Sequence, residues 1–129
     1  MSNTENKRIS LVGHCGPDAF ALRSAIAGFI PGAEITMLNS LAEFESQIAD
    51  FDLHLVNRVL DGSFPDDSGI ELIRANHAGS PPMMLISNFP EALQSAVEAE
   101  GVMGFGKRAM RSAEAQAALQ VALGISSNS

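Results

Sequence analysis

Short apolar runs alternate with longer amphipathic stretches along the chain. Five runs read as strands: "RISLVG" (8–13), "EITMLN" (34–39), "DLHLVN" (52–57), "PPMMLIS" (81–87) and "VMGFG" (102–106). Between them apolar residues recur at helical spacing. The first such stretch, Pro17 to Phe29, follows a Gly16-Pro17 break that suits Pro17 to the first helical position. It is expected to turn Phe20, Leu22, Ile26 and Phe29 to one apolar side. Ser40 and Glu43 form a capping box for a second helix whose apolar face is Leu41, Phe44 and Ile48. Further helices are expected over 69–79, 90–101 and 112–124, the last ending at Gly124. The segment "RVLDGSFPDDSG" (58–69) is rich in Gly, Pro, Asp and Ser and reads as a loop. Strict strand–helix alternation predicts right-handed βαβ units, a five-stranded parallel sheet with helices on both faces, and an α/β (βα)5 three-layer sandwich. One domain is expected over 8–124, with a disordered N-terminus (1–7) and a tail (125–129).

The third strand is apolar as far as Val56 and then reaches Asn57 and Arg58. An open α/β sheet binds its ligands at the carboxyl ends of its strands, so an uncharged amide at that mouth is a candidate functional feature.

Charge and composition narrow the partners. The net charge of −7 leaves no basic stripe to neutralise phosphates; "GKRAMR" (106–111) is the only local basic cluster. The aromatic residues are all Phe, so the Tyr and Trp of single-strand stacking platforms are missing. No nucleic-acid partner is expected. The single cysteine, Cys15, excludes an internal disulfide and suits a reducing compartment. The start "MSNTENKR" lacks the apolar core of a signal peptide, and no apolar run approaches the ~20 residues of a membrane helix. A cytoplasmic protein without a membrane partner is expected.

Other chemistry is weakly marked. His14 and Cys15 are adjacent, without the spacing of a metal site, and read as a loop histidine and a buried cysteine. His54, between Leu53 and Leu55, reads as a satisfied core histidine, and His77 as a cation near a helix end. "GHCG" is not a dinucleotide fingerprint, and no nucleophile elbow accompanies the Ser, His and Asp residues. Met83 and Met84 read as core filling. Neither a metal nor a cofactor is expected.

The order and spacing of "SLVGHCGPDAF", "FDLHLVN", "DDSGIELI", "MMLIS" and "AEGVMGFGKRAM" resemble the receiver domain of two-component response regulators, over essentially the whole chain. The resemblance implies a flavodoxin-like (CheY-like) fold. It also implies a site in which two acidic residues after the first strand and an aspartate ending the third hold Mg²⁺. That aspartate takes a phosphoryl group, a hydroxyl residue and a lysine attend it, and an aromatic residue reports the switch. Carried over by position, the acidic pair falls on His14 and Cys15 and the phosphoacceptor on Asn57. The hydroxyl falls on Ser87, the aromatic on Phe105, and the lysine on Arg108, with Lys107 one residue earlier. Asp18 follows Pro17 and is expected to stabilise a helix N-terminus. An amide is too poor a nucleophile for phosphoryl transfer, and Mg²⁺ prefers hard carboxylate oxygens. With the metal ligands gone, Asn57 removes a repulsion among clustered carboxylates and can hydrogen-bond Ser87 or a nearby cation.

A second register stays open. Pro65 and Gly69 stand at the family's usual spacing from Asp61 rather than from Asn57. In that register Asp61 is the acceptor, and Arg58 runs through the strand interior at a cost of several kcal/mol, roughly, unless paired.

The expected function is that of a stand-alone atypical, or pseudo-, receiver domain in bacterial signal transduction. It is not an enzyme, and it acts by phosphorylation-independent contact with a protein partner or with itself through the fourth helix, fifth strand and fifth helix. That face includes Ser95, Val102 and the "GKRAMR" turn. The alternatives are a phosphoreceiver using Asp61 and a small-molecule-binding flavodoxin-like module.

Overall fold

The computed structural model describes residues 6–125. Five strands, β1 (Arg8–Val12), β2 (Glu34–Leu38), β3 (Leu53–Asn57), β4 (Met83–Ile86) and β5 (Val102–Phe105), form one sheet in the order β2-β1-β3-β4-β5. All four pairings are parallel, and β4–β5 carries an irregularity between Met84 and Ile86. Helices α1 (Gly16–Phe29), α2 (Leu41–Gln47), α3 (Gly69–Asn76), α4 (Pro90–Glu98) and α5 (Ala113–Leu123) follow the strands in turn. This is the flavodoxin-like three-layer sandwich expected.

Strand alternation divides the core into two. Ile9, Leu11, Leu53, Leu55, Met84 and Ile86 meet α1 and α5 on one face. Val12, Val56, Met83 and Leu85 meet α2, α3 and α4 on the other. All five β3 residues are buried, as a strand covered on both faces requires. Met83 and Met84 are core residues.

The helix ends follow local chemistry. The Ser40 hydroxyl accepts from the Glu43 amide at 3.1 Å, while the Glu43 carboxylate accepts from the Asn39 amide at 2.8 Å. The Ser68 and Ser112 hydroxyls accept from the Glu71 and Ala115 amides at the starts of α3 and α5. Gly124, at φ 69°, ends α5 in a left-handed turn, with the Ile125 amide donating to the Gln120 carbonyl.

Several details differ from expectation, among them the end of α4, which lies at Glu98 rather than at 101. Phe20 is 74% exposed, and α1 buries Ala19, Leu22, Ala25 and Ile26 instead. Positions 20 and 22 are about 200° apart on a helix, so Phe20 and Leu22 cannot share a face. Helix α3 stops at Asn76, whose side chain donates to the Leu72 carbonyl at 2.8 Å. Of the expected terminal stretches, 1–5 and 126–129 lie outside the described residues; the Lys7 carbonyl accepts from Glu34, and Ile125 packs against the core.

Candidate functional site

The carboxyl ends of β1, β3, β4 and β5 converge, and Asn57 stands at the centre. Its side-chain nitrogen donates to the Gly13 carbonyl at 3.0 Å and the Val59 carbonyl at 2.8 Å. Its side-chain oxygen accepts from the Arg58 amide at 3.1 Å. Both N–H groups of the carboxamide are therefore in use, and none of these bonds goes to Ser87 or to a cation, contrary to expectation. The Gly13 carbonyl also accepts from the Asp61 amide at 2.9 Å. It is aimed there by a left-handed Gly13, φ 69°, where a Cβ would press on Leu60.

The chain after Asn57 turns back on itself. Leu60 donates to Asp67, and Gly69 donates to Arg58, so residues 58–68 form a small closed excursion bridged at Val59 and Ser68. Gly69 consequently returns against Asn57, where a Cβ would overlap the Asn57 carbonyl oxygen. Asp61 lies in the excursion, exposed, and Arg58 is exposed with its guanidinium 4.8 Å from the Phe89 ring centroid.

The expected roles of His14 and Cys15 are exchanged. His14 is buried, 2% exposed, whereas Cys15 is only half-buried. The His14 Nε2 lies 3.0 Å from the Leu55 carbonyl, which can only accept, so Nε2 carries the proton. Its Nδ1 is buried without a partner among the described residues. Burial drives the His14 pKa down to about 4, against a smaller opposing effect of the Leu55 bond. His14 is neutral at pH 7.

Lys107 reaches across to Asp18 at 2.7 Å, with both side chains about two-thirds buried. The bond to Lys107 holds the Asp18 carboxyl below its ordinary range. Asp18 does lie in the first turn of α1, but the lysine takes up its carboxylate. His54 is satisfied, with the Ser10 hydroxyl 2.6 Å from Nδ1 and the Ile48 carbonyl 2.9 Å from Nε2. Burial lowers its pKa as well.

On the β4–β5 side, the buried Ser87 hydroxyl accepts from the Phe89 amide at 3.1 Å. Asn88, which the sequence did not single out, accepts from the Arg108 amide at 2.9 Å. Phe105 is buried opposite Ile86, and its carbonyl accepts from Ser87. Asn57, Ser87, Lys107 and Arg108 share the wall of a hollow of about 310 Å³ with Arg58, Asn88 and Phe89. The pairing of Asp18 with Lys107 was also missed by sequence reasoning, because a contact spanning 89 residues leaves no local signal.

These residues do not fit Mg²⁺. The candidate ligands are a neutral histidine, a thiol and an amide oxygen already bonded to Arg58, and the nearby Asp18 is held by Lys107. Among the described residues no three His, Cys, Asp or Glu side chains are grouped to hold a metal, and no helix is long and apolar enough to cross a membrane.

A second feature lies on β5 and α5. Met103 is 51% and Val121 81% exposed. With Val102, Ala117, Ala118 and Ala122 they line an apolar depression of about 230 Å³.

Solved structures that the chain resembles include response-regulator receiver domains. A response regulator from Thermotoga maritima matches with a TM-score of 0.72 and 13% identity, over 93% of this chain and 99% of that one. The non-phosphorylated receiver domain of the stress response regulator RcsB from Escherichia coli matches at 0.68 and 12%, over 94% and 96%. The RcsB response regulator of Salmonella typhimurium matches at 0.71 and 14%, over 96% of this chain, which spans 63% of that one. At such identities the likeness establishes the fold. No protein-family model matches the chain, and no curated protein does.

Proposed function

We propose that this chain is a receiver-type module of bacterial signalling that works by protein contact and is not switched by phosphorylation. The observation that carries this reading is the carboxamide of Asn57, whose two N–H groups hold the Gly13 and Val59 carbonyls. A carboxylate has no N–H to give and would point an oxygen at those carbonyls. The position is thus built for an amide, which cannot form an acyl phosphate. The misfit of His14 and Cys15 to Mg²⁺ supports the same reading.

The contact surface in this account is the α4–β5–α5 face. Exposed Met103 and Val121 beside three alanines offer a shallow apolar seat for a protein surface, a second copy of this chain included. No catalytic role is assigned. Asp61 is the carboxylate of the competing register, and one experiment separates the two. The purified protein is incubated with Mg²⁺ and acetyl phosphate and its intact mass recorded at once. The expected spectrum has no phosphoryl adduct; an adduct lost in Asp61→Ala would overturn the proposal.

A further inference from the structure

We infer that the groove between α2 and α3 docks a segment of a partner protein in which large apolar residues are flanked by Lys or Arg. This goes beyond the reading above, since it uses neither Asn57 nor the α4–β5–α5 face.

The excursion after β3 builds the groove. At Gly62, φ 116°, the chain passes so close to Asn39 that a Cβ would overlap its carbonyl oxygen. Two hydrogen bonds fasten it there. The Ser63 amide donates to the Asn39 carbonyl at 2.9 Å, and the Leu41 amide to the Ser63 carbonyl at 3.0 Å. Further along, the Asp66 carboxylate accepts from the amide of Ser68, the capping residue of α3, at 2.9 Å. Phe64, Pro65 and Asp66 are thus strung between the starts of α2 and α3. The hollow they enclose with the two helices measures about 480 Å³. Leu41, Phe64 and Leu72 give it an apolar floor, and exposed Ala75 extends it. Leu72 belongs to the core on this side of the sheet and Leu41 and Phe64 pack against it, so the floor is held in place.

The rim selects the occupant. Glu45 from α2, Asp66 from the excursion and Glu71 from α3 line the hollow, and no Lys, Arg or His does. Arg74 pairs with Glu71 along α3, whereas Glu45 and Asp66 have no ion pair among the described residues. The Asn76 nitrogen is held by the Leu72 carbonyl at 2.8 Å, which leaves its oxygen as one more acceptor. Acceptors around an apolar floor complement an apolar side chain with a cation on either side. Lys and Arg supply only donors, and their aliphatic stems cover apolar surface. A net charge of −7 disfavours a second copy of this chain as the occupant. A bare metal ion is disfavoured too, because among the described residues no three His, Cys, Asp or Glu side chains are grouped to hold one.

The test is an amide NMR titration of the whole protein, at fixed ionic strength, with the blocked hexapeptide Lys-Arg-Leu-Phe-Lys-Arg. Saturable shifts are expected at the Leu41, Glu45, Phe64, Leu72 and Asn76 amides. Glu45→Lys changes an exposed side chain and is expected to weaken binding about fivefold or more. Ala75→Arg puts bulk and a like charge into the groove and is expected to cost about tenfold or more. Met103→Glu, on the other face, is expected to leave binding unchanged, and a peptide with Gly-Ser in place of Leu-Phe is expected not to saturate. Equal binding of the Gly-Ser peptide, unchanged affinity in both groove variants, or loss of binding in Met103→Glu would overturn the inference. So would phenethylammonium binding as tightly as the peptide, which would mark a small-molecule site. Shifts of the same amides on dilution of the protein alone would assign the groove to a second copy and overturn it as well.

Discussion

The side chain of Asn57 and the carbonyl of Gly13, 44 residues apart in sequence, are joined by a 3.0 Å hydrogen bond at the mouth of the sheet. The same carbonyl receives the Asp61 amide. One acceptor thus ties the β1–α1 turn to the end of β3 and to the first half of the excursion that follows it. The bond depends on a donor that only the amide supplies at this position.

Asn57→Asp is therefore expected to lower stability at pH 7 by about 2 kcal/mol, since it removes the donor from the Val59 carbonyl and one of the two donors from the Gly13 carbonyl, and sets a carboxylate against both. The new carboxyl has its pKa raised in the folded state. Its penalty is complete above that raised pKa, shrinks as pH falls from there towards the ordinary ~3.9, and is gone below it, where the acid is protonated in both states. Urea unfolding of variant and wild type at neutral pH and below ~3.9 checks this.

His14 imposes a second pH dependence. Its folded pKa of about 4 lies below its ordinary 6.5, so the unfolded chain binds its proton first. This contribution is neutral above pH 6.5 and destabilising as pH falls from there towards 4, by up to about 3 kcal/mol. The buried His54 acts in the same direction. His14→Gln can keep a donor for the Leu55 carbonyl without a titrating ring, and is expected to flatten the slope between pH 6.5 and 4 in chemical unfolding curves.

The Lys107–Asp18 bridge couples the end of β5 to α1. Asp18→Asn is expected to cost about 1 kcal/mol at pH 7, with a similar coupling to Lys107→Met in a double-mutant cycle. The Asp18 pKa is lowered, so the bridge is at full strength above its ordinary value and is lost as pH falls through the folded one. The two wild-type-minus-variant stabilities should converge at strongly acid pH.

Much of this architecture was legible in the sequence, for identifiable reasons. The apolar run Leu53–Val56 ending at Asn57 marked a strand buried on both faces, and Ser40 with Glu43 marked a helix start because capping is local. The failures came where the outcome depends on side-chain direction or distant contacts. Adjacent His14 and Cys15 point different ways, and composition gives no hint which one is buried. Phe20 was grouped with Leu22 although helical geometry separates them. Pro65 and Gly69 kept Asp61 open as an alternative to Asn57, because spacing counts residues and does not show the path of the chain between them. The excursion over 58–68 closes on itself and brings Gly69 back against Asn57.

For the contact face, Met103→Glu and Val121→Glu are expected to change stability by no more than about 0.5 kcal/mol, because both side chains are largely exposed. Each is expected to weaken association through α4–β5–α5 at least tenfold if the face is apolar-driven. Sedimentation velocity across a concentration series reads self-association, and titration calorimetry reads a captured partner. Unchanged association in both variants would remove this face from the account.

The most direct test of the central claim is an amide NMR titration with Mg²⁺ followed by beryllofluoride, a mimic of an aspartyl phosphate. With Asn57 committed to the Gly13 and Val59 carbonyls, neither addition should move peaks at millimolar concentration. Saturable shifts at the strand mouths that extend to Phe105 and α5, and vanish in Asp61→Ala, would contradict it.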